Sequence, residues 1–191
     1  MKVRKVYLLF TDTGTFFSKM INLFTKSKLN HASISFDEAL TKVYSFGRKQ
    51  PYNPLSGGFV KENVRAPFFR KSTCAIYQLS ITEEIYELLF DRVKKMEQET
   101  DDYRYNLLGV IGVLFNREWQ RDRAFFCSEF VATMLREAGI YTEEKPACLT
   151  KPQDLKEWHE LTLIYHGDLI VYLQKHGPIE EPVRHWKRLY S

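Results

Sequence analysis

Residues 30–36 read NHASISF, and apolar and polar side chains alternate along this stretch. Successive side chains of a β-strand point to opposite faces, so a period of two predicts a strand with one buried face. Ala32, Ile34 and Phe36 are expected on the buried face. His31 and the two serines are expected on the other. The alternation therefore predicts an imidazole that points from a rigid strand into a polar cleft.

The segments on either side predict further strands and helices. Apolar, β-rich runs predict strands at residues 3–10, 42–46, 59–64, 74–79 and 161–165. Helical spacing or helix-start signals predict five helices. The first covers residues 15–26, and the second runs from a capping box at Ser80 and Glu83 to about residue 97. The third, at 106–115, is expected to be buried; the fourth covers 128–137, and the fifth begins at Pro152. Gly139 is expected to end the fourth of these helices. With no internal repeat or linker, one α+β domain over residues 1–191 is the simplest organisation.

Composition narrows the classes of function. The chain is 44% hydrophobic and 27% charged, and its net charge of +4 comes without a dense basic block, so no nucleic-acid partner is expected. The three cysteines, Cys74, Cys127 and Cys148, show no paired spacing. This argues against disulfide bonds, as in a protein of a reducing compartment, and against a structural zinc site. No apolar run matches a signal peptide or a membrane span, so a cytoplasmic protein without membrane contact is expected. No cluster of metal-ligand residues appears in the sequence, so no metal or cofactor is expected.

Cys127 lies in the stretch FFCSEFV, residues 125–131, just where an amphipathic helix is predicted to begin. Unpaired backbone N–H groups and the helix dipole stabilise negative charge at a helix start. The thiolate is the form of cysteine that attacks carbonyl carbon, and the same N–H groups can bind an oxyanion. A histidine such as His31, held on a rigid strand, can take up the thiol proton. A small buried core residue remains the alternative for Cys127.

Four short stretches follow one another in a characteristic order: NHASI at residues 30–34, YNLLG at 105–109, CSEFV at 127–131 and TKPQDL at 150–155. In this order they resemble the circularly permuted branch of the NlpC-type papain-fold superfamily. Its YiiX-like members are the most similar, and the lecithin:retinol acyltransferase group is a cousin. The resemblance covers about residues 5–157. It implies a permuted papain-like α+β fold, with a small antiparallel sheet packed against helices.

The resemblance also implies roles for individual residues. Cys127 matches the nucleophile and His31 the general base and acid. The third, orienting residue falls in register at Ser45, where the family more often carries a stronger partner. Tyr103 and Tyr105 are candidates to supply a hydroxyl to the oxyanion site, and the helix start at Ser128 is expected to contribute to the same site.

The activity implied is that of a cysteine peptidase or amidase, a thiol protease-like hydrolase acting on a small peptide or acyl conjugate. Two alternatives stay open: lipid acyl transfer, with residues 16–17 or 110–115 as membrane-docking candidates, and a catalytically weak binding module. In unpermuted order, Cys74 or Cys127 would pair with His159 or His166, and His166 is the second candidate base. Cys148 is expected to be a bystander.

Overall fold

A computed structural model describes residues 2–12, 29–48 and 57–177. It has α+β architecture, which confirms the predicted class. The strands are β1 (Val3–Thr11), β2 (His31–Ser35), β3 (Val43–Arg48), β4 (Gly57–Glu62), β5 (Thr73–Thr82), β6 (Arg104–Tyr105), β7 (Ala124–Phe125) and β8 (Thr162–Asp168). The helices are α1 (Glu83–Gln98), α2 (Leu107–Leu114), α3 (Cys127–Glu137), α4 (Pro152–Lys156) and α5 (Leu169–His176). The helix predicted at residues 15–26 lies outside the described residues.

Six strands form one antiparallel sheet in the order β4-β3-β2-β1-β5-β8. Strand β1 is central and pairs with β2 on one side, Thr11 opposite His31, and with β5 on the other. Residues 6–11 of β1 are all buried because both faces of the sheet are covered. Strands β6 and β7 form a separate parallel pair that precedes the start of α3.

The two faces of the sheet carry two hydrophobic cores. On one face, Leu8 and Ile34 pack in a core that also contains Phe130 of α3. On the other, Leu9 packs in a smaller core with Leu169 of α5. Ala32, Ile34 and Phe36 all belong to the core on the α3 side, as the alternation predicts, but Ser33 and Ser35 on the other face are fully buried as well. Helix α3 lies against β2 and β3, which brings its first turn to the sheet.

Helix α1 begins two residues later than the sequence indicated. The capping box predicted at Ser80 is wrong, because β5 continues to Thr82 and Ser80 is paired with Lys5 of β1. Thr82 is the N-cap instead, and its hydroxyl accepts a hydrogen bond from the backbone N–H of Ile85. Pairing with the central strand therefore overrides the local helix-start signal.

Helix α2 is apolar but faces outward. The prediction of a buried helix is wrong: of its eight residues only Gly109 and Gly112 are buried. A β-carbon on Gly112 would lie 2.5 Å from the carbonyl oxygen of Arg117, so this glycine lets the loop that follows the helix fold back against it. Leu108, in the first turn of the helix, is 48% exposed, and Phe115, just after its last residue, is 69% exposed. None of the helices in the described segments combines the length and hydrophobicity needed to cross a bilayer.

Candidate active site

His31 is the first residue of β2, and its imidazole lies between two potential partners. Its Nε2 is 2.6 Å from Oε1 of Glu62, and the side chain of Cys127 lies near enough to the ring to contribute to its raised pKa. Since Glu62 occupies Nε2, Nδ1 is the nitrogen that remains for the sulfur. The structure therefore brings together the predicted nucleophile and base, and adds a carboxylate behind the base.

Cys127 is the first residue of α3, as its sequence context predicted. Phe126 before it is extended, so the chain turns into the helix at the cysteine itself. The sulfur lies 3.9 Å from the carbonyl oxygen of Asn30, and the residue is 5% exposed. The thiol is thus held beside the start of β2, with polar groups on that side.

The electrostatics of His31 reflect these neighbours. Burial opposes protonation of the ring, but the carboxylate of Glu62 and the nearby side chain of Cys127 outweigh this effect, so the pKa of His31 is raised well above its ordinary value. A cationic imidazole between a sulfur and a carboxylate is the arrangement that favours a thiolate nucleophile. The raised pKa and the contact with Glu62 therefore favour a protonated imidazole next to the sulfur.

Glu62 is the residue that sequence reasoning missed. It ends β4, and β3 lies between β4 and the strand that carries His31. Its carboxylate also accepts a hydrogen bond from the hydroxyl of Ser33, with 2.6 Å between Oγ and Oε2. The only sequence signal was the position of Ser33 on the same face of β2 as His31, which marked a polar surface on which a charged partner could lie.

Ser45 does not contact the imidazole. Its hydroxyl donates to the carbonyl oxygen of Ala32 at 2.7 Å, and the side chain is fully buried. The prediction that Ser45 orients the histidine is therefore corrected: the longer side chain of Glu62 reaches across β3 and occupies that place. Ser45 instead ties β3 to β2.

The residues predicted for the oxyanion site lie in different environments. Tyr103 is buried and packs its ring against Phe46, with centroids 6.1 Å apart, so aromatic packing accounts for it. The hydroxyl of Ser128 donates to the carbonyl oxygen of Thr150 at 2.8 Å, so only its backbone N–H remains for a ligand. Both residues stabilise the surroundings of the helix start.

Tyr105 lies closer to the histidine side of the site. A β-carbon on Gly57 would come 2.6 Å from Cβ of Tyr105 and 3.3 Å from the carbonyl oxygen of Gly47. One on Gly47 would lie 3.9 Å from Cε1 of His31. The glycines at the ends of β3 and β4 thus let the tyrosine and the imidazole approach the same strand ends.

A buried polar network fixes the start of α3. One carboxylate oxygen of Glu129 accepts from the backbone N–H of Phe126 at 3.1 Å and from the amide of Asn106 at 3.4 Å. Asn106 in turn accepts from the N–H of Gly109 and donates to the carbonyl oxygen of Trp119. Burial raises the pKa of Glu129 to about 7, and the two hydrogen bonds only partly offset this effect. The network connects the start of α3 to the start of α2.

The alternative pairs considered from the sequence are not assembled. Cys74 is fully buried in β5, and burial raises the pKa of its thiol to about 12. Burial also raises the pKa of Cys148. His166 lies in β8, opposite Ala75, and His159 is exposed beside Glu160. Among the described residues, Cys127 is the thiol that has a histidine partner.

Comparisons of the chain with models of protein families, with curated proteins and with solved structures found no match. Within residues 2–12, 29–48 and 57–177, no cluster of three or more His, Cys, Asp or Glu side chains is arranged to hold a metal ion. The chemistry of the site is therefore inferred from Cys127, His31 and Glu62 themselves.

Proposed function

We propose that the protein is a cysteine hydrolase with a permuted papain-like fold, in which Cys127, His31 and Glu62 form the catalytic triad. The observation that carries the proposal is the imidazole of His31, held between the sulfur and a carboxylate 2.6 Å from Nε2. The order along the chain, histidine strand first and nucleophile helix later, agrees with the permuted arrangement. The antiparallel sheet with α3 against β2 and β3 supports the same fold.

The reaction begins when the thiolate of Cys127 attacks the carbonyl carbon of an amide, ester or thioester. A carbon–sulfur bond forms, and the carbonyl π electrons move onto oxygen. When the tetrahedral intermediate collapses, the bond to the leaving group breaks and His31 gives its proton to the departing nitrogen, oxygen or sulfur. Water, deprotonated by the now neutral His31, then attacks the thioester, releases the acid and restores the thiolate.

The start of α3 supplies the oxyanion site in this scheme. The first N–H groups of an α-helix have no partner within the helix. The carboxylate of Glu129 takes the N–H of Phe126, which leaves those of Cys127 and Ser128 to face a developing negative charge beside the sulfur. Glu62 accepts the Nε2–H of His31 and stabilises the imidazolium that forms during each turnover.

The substrate we propose is a small peptide or an acyl conjugate with an accessible carbonyl. Peptidase or amidase chemistry is what the permuted NlpC-type resemblance implies. The charge of the site does not select an anionic substrate, because the imidazolium is already paired with Glu62.

Alkylation of Cys127 tests the proposal directly. In a Cys74→Ser/Cys148→Ser background, intact-mass measurements would follow the rate of reaction with iodoacetamide at pH 6. An isolated thiol has a pKa near 8.5 and is less than about 1% thiolate at pH 6, so pairing with His31 should accelerate alkylation at least about tenfold.

The matched variants are His31→Ala and His159→Ala, the second removing an exposed histidine outside the site. We expect His31→Ala to lose the acceleration and His159→Ala to keep it. Alkylation of the background protein no faster than that of a free thiol, or unchanged by His31→Ala, would contradict the hydrolase and leave the binding module.

One observation favours a second candidate, acyl transfer from a lipid. Helix α2 presents apolar side chains outward, and Trp119, in the loop after it, is 41% exposed. Exposed aliphatic and aromatic residues of this kind favour contact with acyl chains or a bilayer surface. Sedimentation with phosphatidylcholine vesicles, compared between the wild type and Leu108→Ser/Phe115→Ser, would separate this candidate from a hydrolase of soluble substrates.

A further inference from the structure

We infer that Ser33 is a positioning residue of this site and acts through Glu62; the inference rests on the proposed function. The carboxylate of Glu62 has two partners on β2, His31 at Oε1 and Ser33 at Oε2, each at 2.6 Å. His31 and Ser33 are two residues apart, so their side chains leave the same face of the strand. The carboxylate is therefore held at both oxygens.

Hydrogen bonds to both carboxylate oxygens matter because Glu62 lies on a strand that is not adjacent to that of His31. Its strand, β4, is separated from β2 by β3, so the carboxylate lies at the end of a long side chain that spans the intervening strand. A single hydrogen bond would leave it free to rotate about its last torsion. The hydroxyl of Ser33 removes that freedom, and a short O–H···O⁻ bond is among the stronger hydrogen bonds in proteins.

The environment makes the hydroxyl hard to replace. Ser33 is fully buried and the side chain of Glu62 is only 9% exposed. Without the hydroxyl, Oε2 would be a buried carboxylate oxygen without its donor, which is unfavourable. The carboxylate would turn from the ring toward other donors, and the imidazolium of His31 would lose part of its stabilisation. Ser33 thus extends toward higher pH the range over which the imidazole of His31 stays protonated.

Ser35 provides a matched control on the same face of the same strand. It is also fully buried, but its hydroxyl donates to the backbone oxygen of Asp37 at 2.9 Å in the turn that follows. Ser33→Ala and Ser35→Ala each remove one buried hydroxyl from β2. Only the first removes a donor from Glu62.

The test uses two alkylating probes on the Cys74→Ser/Cys148→Ser background. Iodoacetate is an anion and iodoacetamide is neutral, so the ratio of their rates at Cys127 reports the positive charge on the neighbouring ring. The pH at which the ratio of the iodoacetate rate to the iodoacetamide rate falls by half is the titration midpoint of the coupled Cys127–His31 pair. We expect Ser33→Ala to lower that midpoint by about half a pH unit and Ser33→Thr to restore it. Ser35→Ala should leave it unchanged.

A double variant keeps the test valid if Ser33→Ala does not fold. Ser33→Ala/Glu62→Gln buries no carboxylate without its donor, and if Ser33 acts only through Glu62 its midpoint should equal that of Glu62→Gln alone. A midpoint of Ser33→Ala equal to that of Ser35→Ala, or a double variant below Glu62→Gln, would overturn the role of Ser33. A background protein whose rate ratio does not change with pH and whose Cys127 is no more reactive than a free thiol would instead overturn the triad.

Discussion

Replacing Glu62 with glutamine should lower the free energy of unfolding of the protein, and the size of the decrease should depend on pH. The change keeps the size of the side chain and removes the charge 2.6 Å from Nε2 of His31. The two side chains are 15% and 9% exposed, so solvent screens the pair little. A hydrogen bond to a charged group contributes roughly 1.5–3 kcal/mol, which corresponds to a fall of about one to two units in the pKa of the imidazole.

The sign of the pH dependence follows from the raised pKa of His31. Its contribution to the free energy of unfolding is fully present below the unfolded-state pKa near 6.5 and is lost as the pH rises through the folded-state pKa. We therefore expect Glu62→Gln to be about 2 kcal/mol less stable than the wild type at pH 6. The difference should shrink at alkaline pH.

Urea unfolding followed by tryptophan fluorescence between pH 5.5 and 9.5 would measure the difference. Glu97→Gln is the control, because Glu97 also lies near the core and contacts Tyr44 and Lys94 rather than a histidine. A deficit for Glu62→Gln that is constant over this range, or that grows toward high pH, would refute the assigned ion pair.

Two further predictions concern groups around the site. The raised pKa of Glu129 should make the free energy of unfolding of the wild type fall by up to about 3 kcal/mol as the pH rises from 4.5 to 7. Glu129→Gln should reduce this pH dependence. Equal slopes of unfolding free energy against pH in both proteins would contradict the prediction. Thr11→Val should raise the free energy of unfolding by about 1 kcal/mol, because the buried hydroxyl of Thr11, opposite His31, has no hydrogen-bond partner among the described residues. Urea unfolding measures this too, and a destabilised Thr11→Val would show that the hydroxyl is satisfied.

The parts of the site that follow local rules could be predicted from the sequence. Alternation at residues 30–36 placed His31 on a strand, and the amphipathic pattern after Cys127 placed the thiol at a helix start. Both depend on neighbours within a few residues. Glu62 depends instead on the register of β4 across β3, which no local pattern specifies. Ser45 was chosen because its strand is adjacent, but the side chain that reaches Nε2 of His31 is the longer carboxylate of Glu62.

Helix α2 shows a second limit of sequence patterns. Its residues, LLGVIGVL, are entirely apolar, and such a run indicates burial when only composition is considered. In the structure Leu108 and Leu114 are exposed, whereas the close neighbours of Gly109 and Gly112 are the N-cap Asn106 and the loop at Arg117. Which side of an all-apolar helix faces the protein is decided by shape, and hydrophobicity does not encode it.

The separation of the reacting groups along the chain has a consequence for biosynthesis. Asn30, whose carbonyl oxygen is the sulfur's neighbour, and Cys127 are 97 residues apart. The ribosome adds β1 and β2 long before it adds Cys127. A growing chain therefore cannot bring Cys127 beside Asn30 until α3 has docked. Under the proposed function, hydrolase activity would therefore arise only after these two distant parts of the chain have folded together.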